Sequence, residues 1–162
     1  MSQLFEQLRK RKDDRGMMAN LRCVLVKNKR HRAWPSLHRL GVAIDELSAL
    51  PFIAGLYATH PEETGKCNFG KTCKVIQSKR DGSHGEDGKL TPTERRFQHL
   101  LAADRNELPG RVLRMVLMAK AQGVPVNYEQ LAIDIRCWDD GVKNKWASAF
   151  WAQENEEPEG DE

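Results

Sequence analysis

Apolar residues recur at helical spacing along this chain, and strand-like alternation is scarce. Val112, Met115, Val116 and Ala119 stand three, four and seven positions from the first; Tyr128, Leu131, Ala132 and Ile135 repeat the pattern, and Val142, Trp146, Ala149 and Phe150 close the set. Residues three and four apart share one helix face, so each run specifies a helix with one side to bury. Shorter runs precede them: Leu4, Phe5 and Leu8; Met17, Leu21, Val24 and Leu25; Trp34 and Leu37; Phe52, Ile53, Leu56 and Tyr57; Phe69, Cys73 and Ile76. Pro35, Pro51 and Pro61 punctuate these short helices, because proline is accepted in a first turn but stops a helix that reaches it from upstream.

The expected fold is therefore all-α. Between Ser78 and Lys89 the chain holds Gly82, Gly85 and Gly88 among charged residues, which adds freedom without apolar surface and reads as a mobile linker. It ends at Thr91-Pro92-Thr93-Glu94, a capping box with proline at the first helical position. Asn127 with Gln130 makes a second box, and Asp139 or Asp140 can cap the last helix. The reading is two small helical bundles, residues 1–77 and 91–152, joined by a Gly-rich charged linker at 78–90. Residues 153–162 form an acidic tail with no apolar face to bury, expected to be disordered.

A chain of 162 residues with 40% hydrophobic and 30% charged side chains can build a sizeable core, which excludes disorder of the whole. No apolar run approaches the roughly 20 residues that span a bilayer, and the N-terminus lacks a signal-peptide core, so a cytoplasmic protein is expected with no membrane partner. The formal charge of +3 hides an uneven distribution. Six of the 23 acids follow Ala152 without a base, so the part before the tail sets 26 Lys and Arg against the other 17 acids, a balance of +9. Between Arg9 and Arg32 ten bases face only Asp13 and Asp14. A polyanion is the natural partner of such a field, and a well-solvated surface is the alternative.

Arginine-rich helix faces sharpen this reading. Arg111 and Arg114 lie opposite Val112, Met115, Val116 and Ala119, so both are expected to project to solvent and grip neighbouring phosphates; Arg15 with Arg22, and Arg95 with His99, also share faces. The planar guanidinium fork suits bidentate phosphate contact. The competing role for each arginine is an intrahelical ion pair, for which Asp104, Arg105 and Glu107 are candidates. Trp34, Phe69, Phe97, Tyr128, Trp146 and Phe150 fall on apolar stripes and are expected to pack in the core instead of stacking on bases.

Other chemistries find little support. Cys23, Cys67, Cys73 and Cys137 contain no Cys-x-x-Cys pair and read as free thiols, while His60, Cys67 and Cys73 lack the spacing of a zinc site, so no metal and no cofactor are expected. The pairs Asp13-Asp14, Glu62-Glu63 and Asp139-Asp140 point apart on a helix and do not make a two-metal centre. Gly65 to Thr72 has the formal spacing of a phosphate-binding loop, but no buried strand precedes it. His60 and His99 are the acid and base that a metal-free ribonuclease would need, although no spacing argument joins them. No small-molecule substrate is indicated.

Five segments in order carry a more specific signal: Arg30-His31-Arg32-Ala33-Trp34-Pro35, Ala54-Gly55-Leu56-Tyr57-Ala58-Thr59-His60-Pro61, Asn68-Phe69-Gly70-Lys71-Thr72-Cys73, Glu94 to Pro109, and Trp138-Asp139-Asp140. Together they resemble the CasB family, the small subunit of the type I-E CRISPR surveillance complex Cascade, over about Asp14 to Trp151. The resemblance implies a two-domain helical subunit without catalytic activity that pairs with a second copy and with other Cascade subunits. It also implies contact with guide RNA and with target DNA, including the displaced strand, whose backbones it would hold to stabilise an R-loop. Basic positions carried over by motif are Arg22, Arg105, Arg111, Arg114 and Lys143, the last with Lys145 as an alternative register; Arg30, Arg32 and Lys71 come from the charge reading. A purely protein-bridging role and the ribonuclease remain as alternatives.

Overall fold

A computed structural model describes residues 2–45, 48–82 and 88–152. Among them the chain forms α1 (Ser2–Lys10), α2 (Arg15–Arg22), α3 (Trp34–Arg39), α4 (Leu50–Thr59), α5 (Phe69–Asp81), α6 (Pro92–Leu101), α7 (Leu108–Gln122), α8 (Tyr128–Arg136) and α9 (Asp140–Trp151). Two 3-10 segments, Cys23–Leu25 and Lys27–Ala33, link α2 to α3. No strand occurs among the described residues; Glu63 and Val126 form an isolated parallel bridge, in which the Thr64 and Val126 amides donate to Val126 and Glu62 carbonyls at 3.1 Å each. The all-helical expectation holds.

Helix starts follow from side-chain oxygens placed to accept the otherwise unpaired first-turn amides. Thr91 accepts from the Glu94 amide at 3.2 Å, Asn127 from Gln130 at 3.1 Å and Asp139 from Val142 at 2.9 Å, at the positions legible in sequence. Asp14 and Asn68 do the same for α2 and α5, accepting from Met17 and Lys71. At its far end α7 stops on Gly123, whose φ of 65° is the left-handed geometry that glycine adopts without strain.

The buried side chains form one contiguous core. In it α2 lies on α4, α4 on α7 and α8, and α5 on α6, α7 and α9. Helix α5 thus packs with the C-terminal helices, and it runs through Asp81, so the break falls at Gly82 (φ 76°) instead of at Ser78. Contacts beyond the apolar stripe carry it that extra turn. Buried Gln77 donates to the Gly82 carbonyl, and the Asp81 carboxylate accepts the Thr93 amide at 3.0 Å. Burial pushes the Asp81 carboxyl up, but hydrogen bonds from Thr93 and Thr91 and the charge of Arg80 outweigh it and hold the group below its ordinary value. Residues 83–87 of the expected linker and the acidic tail lie outside the described residues.

Helices α5 and α9 touch backbone to backbone. A Cβ added to Gly70 would overlap the Trp146 carbonyl oxygen and stand 2.6 Å from its Cα, both backbone atoms that cannot swing aside. Gly70→Ala is therefore expected to lower stability by about 2–3 kcal/mol in urea or thermal denaturation, through overpacking. Gly110, also helical, has nothing within 4 Å of the same added atom. Gly110→Ala should leave stability unchanged or raise it by up to roughly 1 kcal/mol through helix propensity; equal losses at both sites would contradict the packing described.

Candidate nucleic-acid interface

The basic residues singled out in sequence occupy two regions. In the N-terminal region α2 ends at Arg22, whose Nε donates to the Ala58 carbonyl in the last turn of α4 at 3.0 Å. The 3-10 segment before α3 carries Lys27, Lys29, Arg30, His31 and Arg32, all exposed. Buried Ala33 and Leu37 moor it, and it packs on α2, on α3 and on the preceding 3-10 turn. Arg30 and Arg32 make no side-chain hydrogen bond or ion pair with the described residues. From Arg15 to Ile44 the sequence contains no Asp or Glu, so no neighbour in that stretch neutralises them.

In the C-terminal region, Trp138 is the organising residue. Its indole N–H donates to the Ala103 carbonyl at 3.0 Å, which holds the turn after α6 against the start of α9. Arg105 leaves that turn and donates to the Arg136 and Trp138 carbonyls at 3.4–3.5 Å. Lys143 places its ammonium 5.4 Å from the centre of the Trp138 ring, a cation–π contact. Arg105 and Lys143 thus meet at Trp138, with exposed Arg136 beside them. Lys71 sits in the first turn of α5, whose cap Asn68 also donates to the Lys145 carbonyl at 3.3 Å.

Of Arg111 and Arg114, both expected to project to solvent, only Arg111 departs from the sequence reading. Arg114 is exposed on α7, as expected. Arg111 is half-buried: it donates to the His99 carbonyl in the last turn of α6 and pairs with Glu107 one turn back at 3.4 Å. The face opposite the apolar stripe at that end of α7 leans against α6, which periodicity within α7 cannot reveal. Trp34 also departs from expectation. The buried stripe of this segment runs through Ala33, Ser36, Leu37 and Leu40, leaving Trp34 on its flank, 47% exposed. The other five aromatics assigned to the core are buried.

Alternative chemistries lose their residues to structural roles. His60 is 3% exposed, and its Nε2–H donates to the Val124 carbonyl at 2.6 Å. The Tyr128 hydroxyl donates in turn to the His60 carbonyl, and burial pushes that phenol's pKa up. His60 is a strut between α4 and the start of α8, turned inward, whereas His99 is exposed. Gly70 and Thr72 are buried within α5, so Gly65 to Thr72 cannot wrap a phosphate. Cys73 is fully buried, which raises its thiol pKa, and no group of three or more potential ligands occurs among the described residues. Asp14 and Asp139 are helix caps, and Glu63 pairs with Arg9.

Residues 17–151 match the family described as CRISPR-associated protein Cse2. The chain belongs to the Cse2 family. Solved structures agree in fold: a Cse2-family protein from Thermus thermophilus superposes with a TM-score of 0.71 at 18% identity, covering 93% of this chain and 94% of that one. M. ruber CasB gives 0.64 at 24% identity over 83% of each chain. A structure of CasB from T. thermophilus gives 0.70 at 18% identity over 93% and 94%. No curated protein sequence matches the chain. The CasB resemblance read from five segments and the Cse2 match coincide, and among the described residues no helix is long and apolar enough to cross a membrane.

For this Cse2-family chain the two α7 arginines should separate on substitution. Arg114→Glu is expected to change stability by no more than about 0.5 kcal/mol, as for exposed positions without partners. Arg111→Glu should cost about 1–2 kcal/mol, because it strips a charge-assisted hydrogen bond from the α6 carbonyl and sets a carboxylate beside Glu107. Chemical denaturation of the two single variants reads the difference, and equal stability would contradict the Arg111 contacts.

Proposed function

We propose that the chain is the non-catalytic small subunit of a Cascade-type CRISPR surveillance complex, and that it binds nucleic-acid backbones without reading sequence, stabilising the R-loop during target recognition. Membership of the Cse2 family supports the complex. The observation that carries the binding role is the acid-free stretch from Arg15 to Ile44, with its exposed, unpaired Arg30 and Arg32. Such cations release condensed counterions from phosphates and give affinity that is independent of base identity. Arg22, Lys71, Arg105, Arg114 and Lys143 extend the surface, with Arg111 beside them on the His99 carbonyl and Glu107. The partners are guide RNA, target DNA with its displaced strand, other subunits and a second copy. Leu117 on α7 and Ile133 on α8, 47% and 38% exposed, suit the protein contacts and favour a bridging role alongside the electrostatic one.

Binding of the full chain to single-stranded DNA should be weak, indifferent to sequence and abolished by salt. About five phosphate contacts give a slope of log K against log salt near −3.5, at roughly −0.7 each. Replacing Arg30 and Arg32 together by Gln should make that slope shallower by about 1.4, two contacts fewer, with unchanged circular dichroism. A salt-independent affinity, or one that changes strongly with sequence, overturns the reading.

A further inference from the structure

The exposed Trp34 stands at the end of the most basic segment of the chain, and neither packing nor hydrogen bonding accounts for it. Tryptophan is costly to leave in water, and the other three are engaged: Trp138 and Trp146 are buried and donate their indole N–H groups, and Trp151 lies against Phe97 and Phe150. Trp34 makes one ring contact, an edge-on approach from His31 at 6.4 Å and 79°, and its indole N–H has no acceptor among the described residues. Its backbone is nevertheless fixed. The Trp34 amide donates to the His31 carbonyl, Pro35 follows it in the first turn of α3, and Ala33 and Leu37 anchor both sides in the core. The indole is thus presented from a rigid corner, with Lys27, Lys29, Arg30, His31 and Arg32 exposed along the preceding seven residues and no carboxylate in the acid-free stretch around it.

We infer that Trp34 is a stacking platform for an unpaired base, and that this corner therefore takes single-stranded nucleic acid in preference to duplex. An aromatic face beside a row of cations meets the two repeating features of a single strand, because the phosphates run along the charges while a base turns onto the ring. A paired base has its faces already occupied within the helix stack and cannot do so. An acidic protein surface would satisfy the cations but leaves the indole without its matching group. The platform needs no sequence preference, since every base has a π-face. The inference rests on the nucleic-acid reading above and adds to it a residue that touches bases.

The test compares full-length wild type, Trp34→Leu and Trp34→Phe by fluorescence anisotropy at low salt, against an oligothymidylate and an abasic strand of the same length. Leucine keeps the apolar bulk and removes the π-face; phenylalanine keeps a smaller π-face. Trp34→Leu should bind oligothymidylate about five- to tenfold more weakly, Trp34→Phe should recover most of the loss, and all three should bind the abasic strand alike. The slope against salt should be unchanged, because no phosphate contact is lost. Equal affinity of wild type and Trp34→Leu for oligothymidylate overturns the platform. So does an equal loss on the abasic strand, or a defect of Trp34→Leu confined to assembly with protein subunits. Failure of wild type to bind either strand removes the nucleic-acid reading itself, a different result from failure of stacking. Circular dichroism and melting of both variants confirm that the fold is intact, and Trp34→Gln, which also lacks a ring, takes the place of Trp34→Leu if leucine disturbs it.

Discussion

Much of the structure depends on the seating of Trp146. Its ring is fully buried between Phe69 at 5.3 Å and Trp138 at 5.0 Å, and its backbone presses on Gly70 so closely that no side chain fits there. The indole N–H donates to Asp134 at 2.8 Å, and the other Asp134 oxygen accepts from Gln130 at 2.9 Å. A carboxylate 6% exposed is costly to bury unless its oxygens are satisfied, and here one donor comes from its own helix and one from α9. The pair therefore fixes α8 against α9 while Gly70 fixes α9 against α5. Lys71 and Lys143 inherit their positions from this junction, and Arg105 follows through Trp138.

Three of the candidate arginines share a device. Arg22 reaches the last turn of α4, Arg111 that of α6 and Arg105 that of α8, each donating to a carbonyl at a helix C-terminus. Carbonyls there lack partners within their own helix and carry the negative end of its dipole, so a guanidinium is a fitting cap. Such a contact uses part of a five-donor fork and holds the remainder in one orientation. Arg9 shows the contrast. It is bound by both Glu63 and Glu129, which raise its pKa and neutralise its charge, so it ties α1 to α8 and contributes little field outward. Arg22 and Arg105, bound to carbonyls alone, keep an uncompensated charge, whereas Glu107 partly offsets Arg111 and two carboxylates offset Arg9.

The sequence made visible whatever depends on neighbours within a turn or two. The caps at Thr91, Asn127 and Asp139 and the apolar faces of α7, α8 and α9 are of this kind, and the Cse2 family itself was legible from five short segments. Long-range contacts were not. Arg111 meets a carbonyl from another helix, His60 turns inward to Val124, and α5 joins the C-terminal helices although its own periodicity is silent on which neighbour covers it. Trp34 was assigned to the core by pairing it with Leu37, whereas Ala33 begins the buried stripe; small residues carry weak signals, and the large one beside it attracted the assignment. Asp134 and Arg136 went unnoticed because single charged residues in a helix carry no pattern.

The two basic regions gain meaning from how firmly they are joined. Tyr128 and His60 hydrogen-bond α4 to the segment before and within α8, the Glu63 and Val126 backbones pair, and Arg9 spans from α1 to Glu129. These links make the N-terminal edge and the Trp138 cluster parts of one body. For a polymer already held at one region, a rigid span presents the other at a fixed separation, so the second engagement becomes intramolecular and adds affinity without any new contact. A freely hinged pair of bundles would dilute that advantage over many geometries. On the function proposed above, weak, sequence-blind contacts at the two regions would act together on an extended strand and hold it more firmly than either does separately.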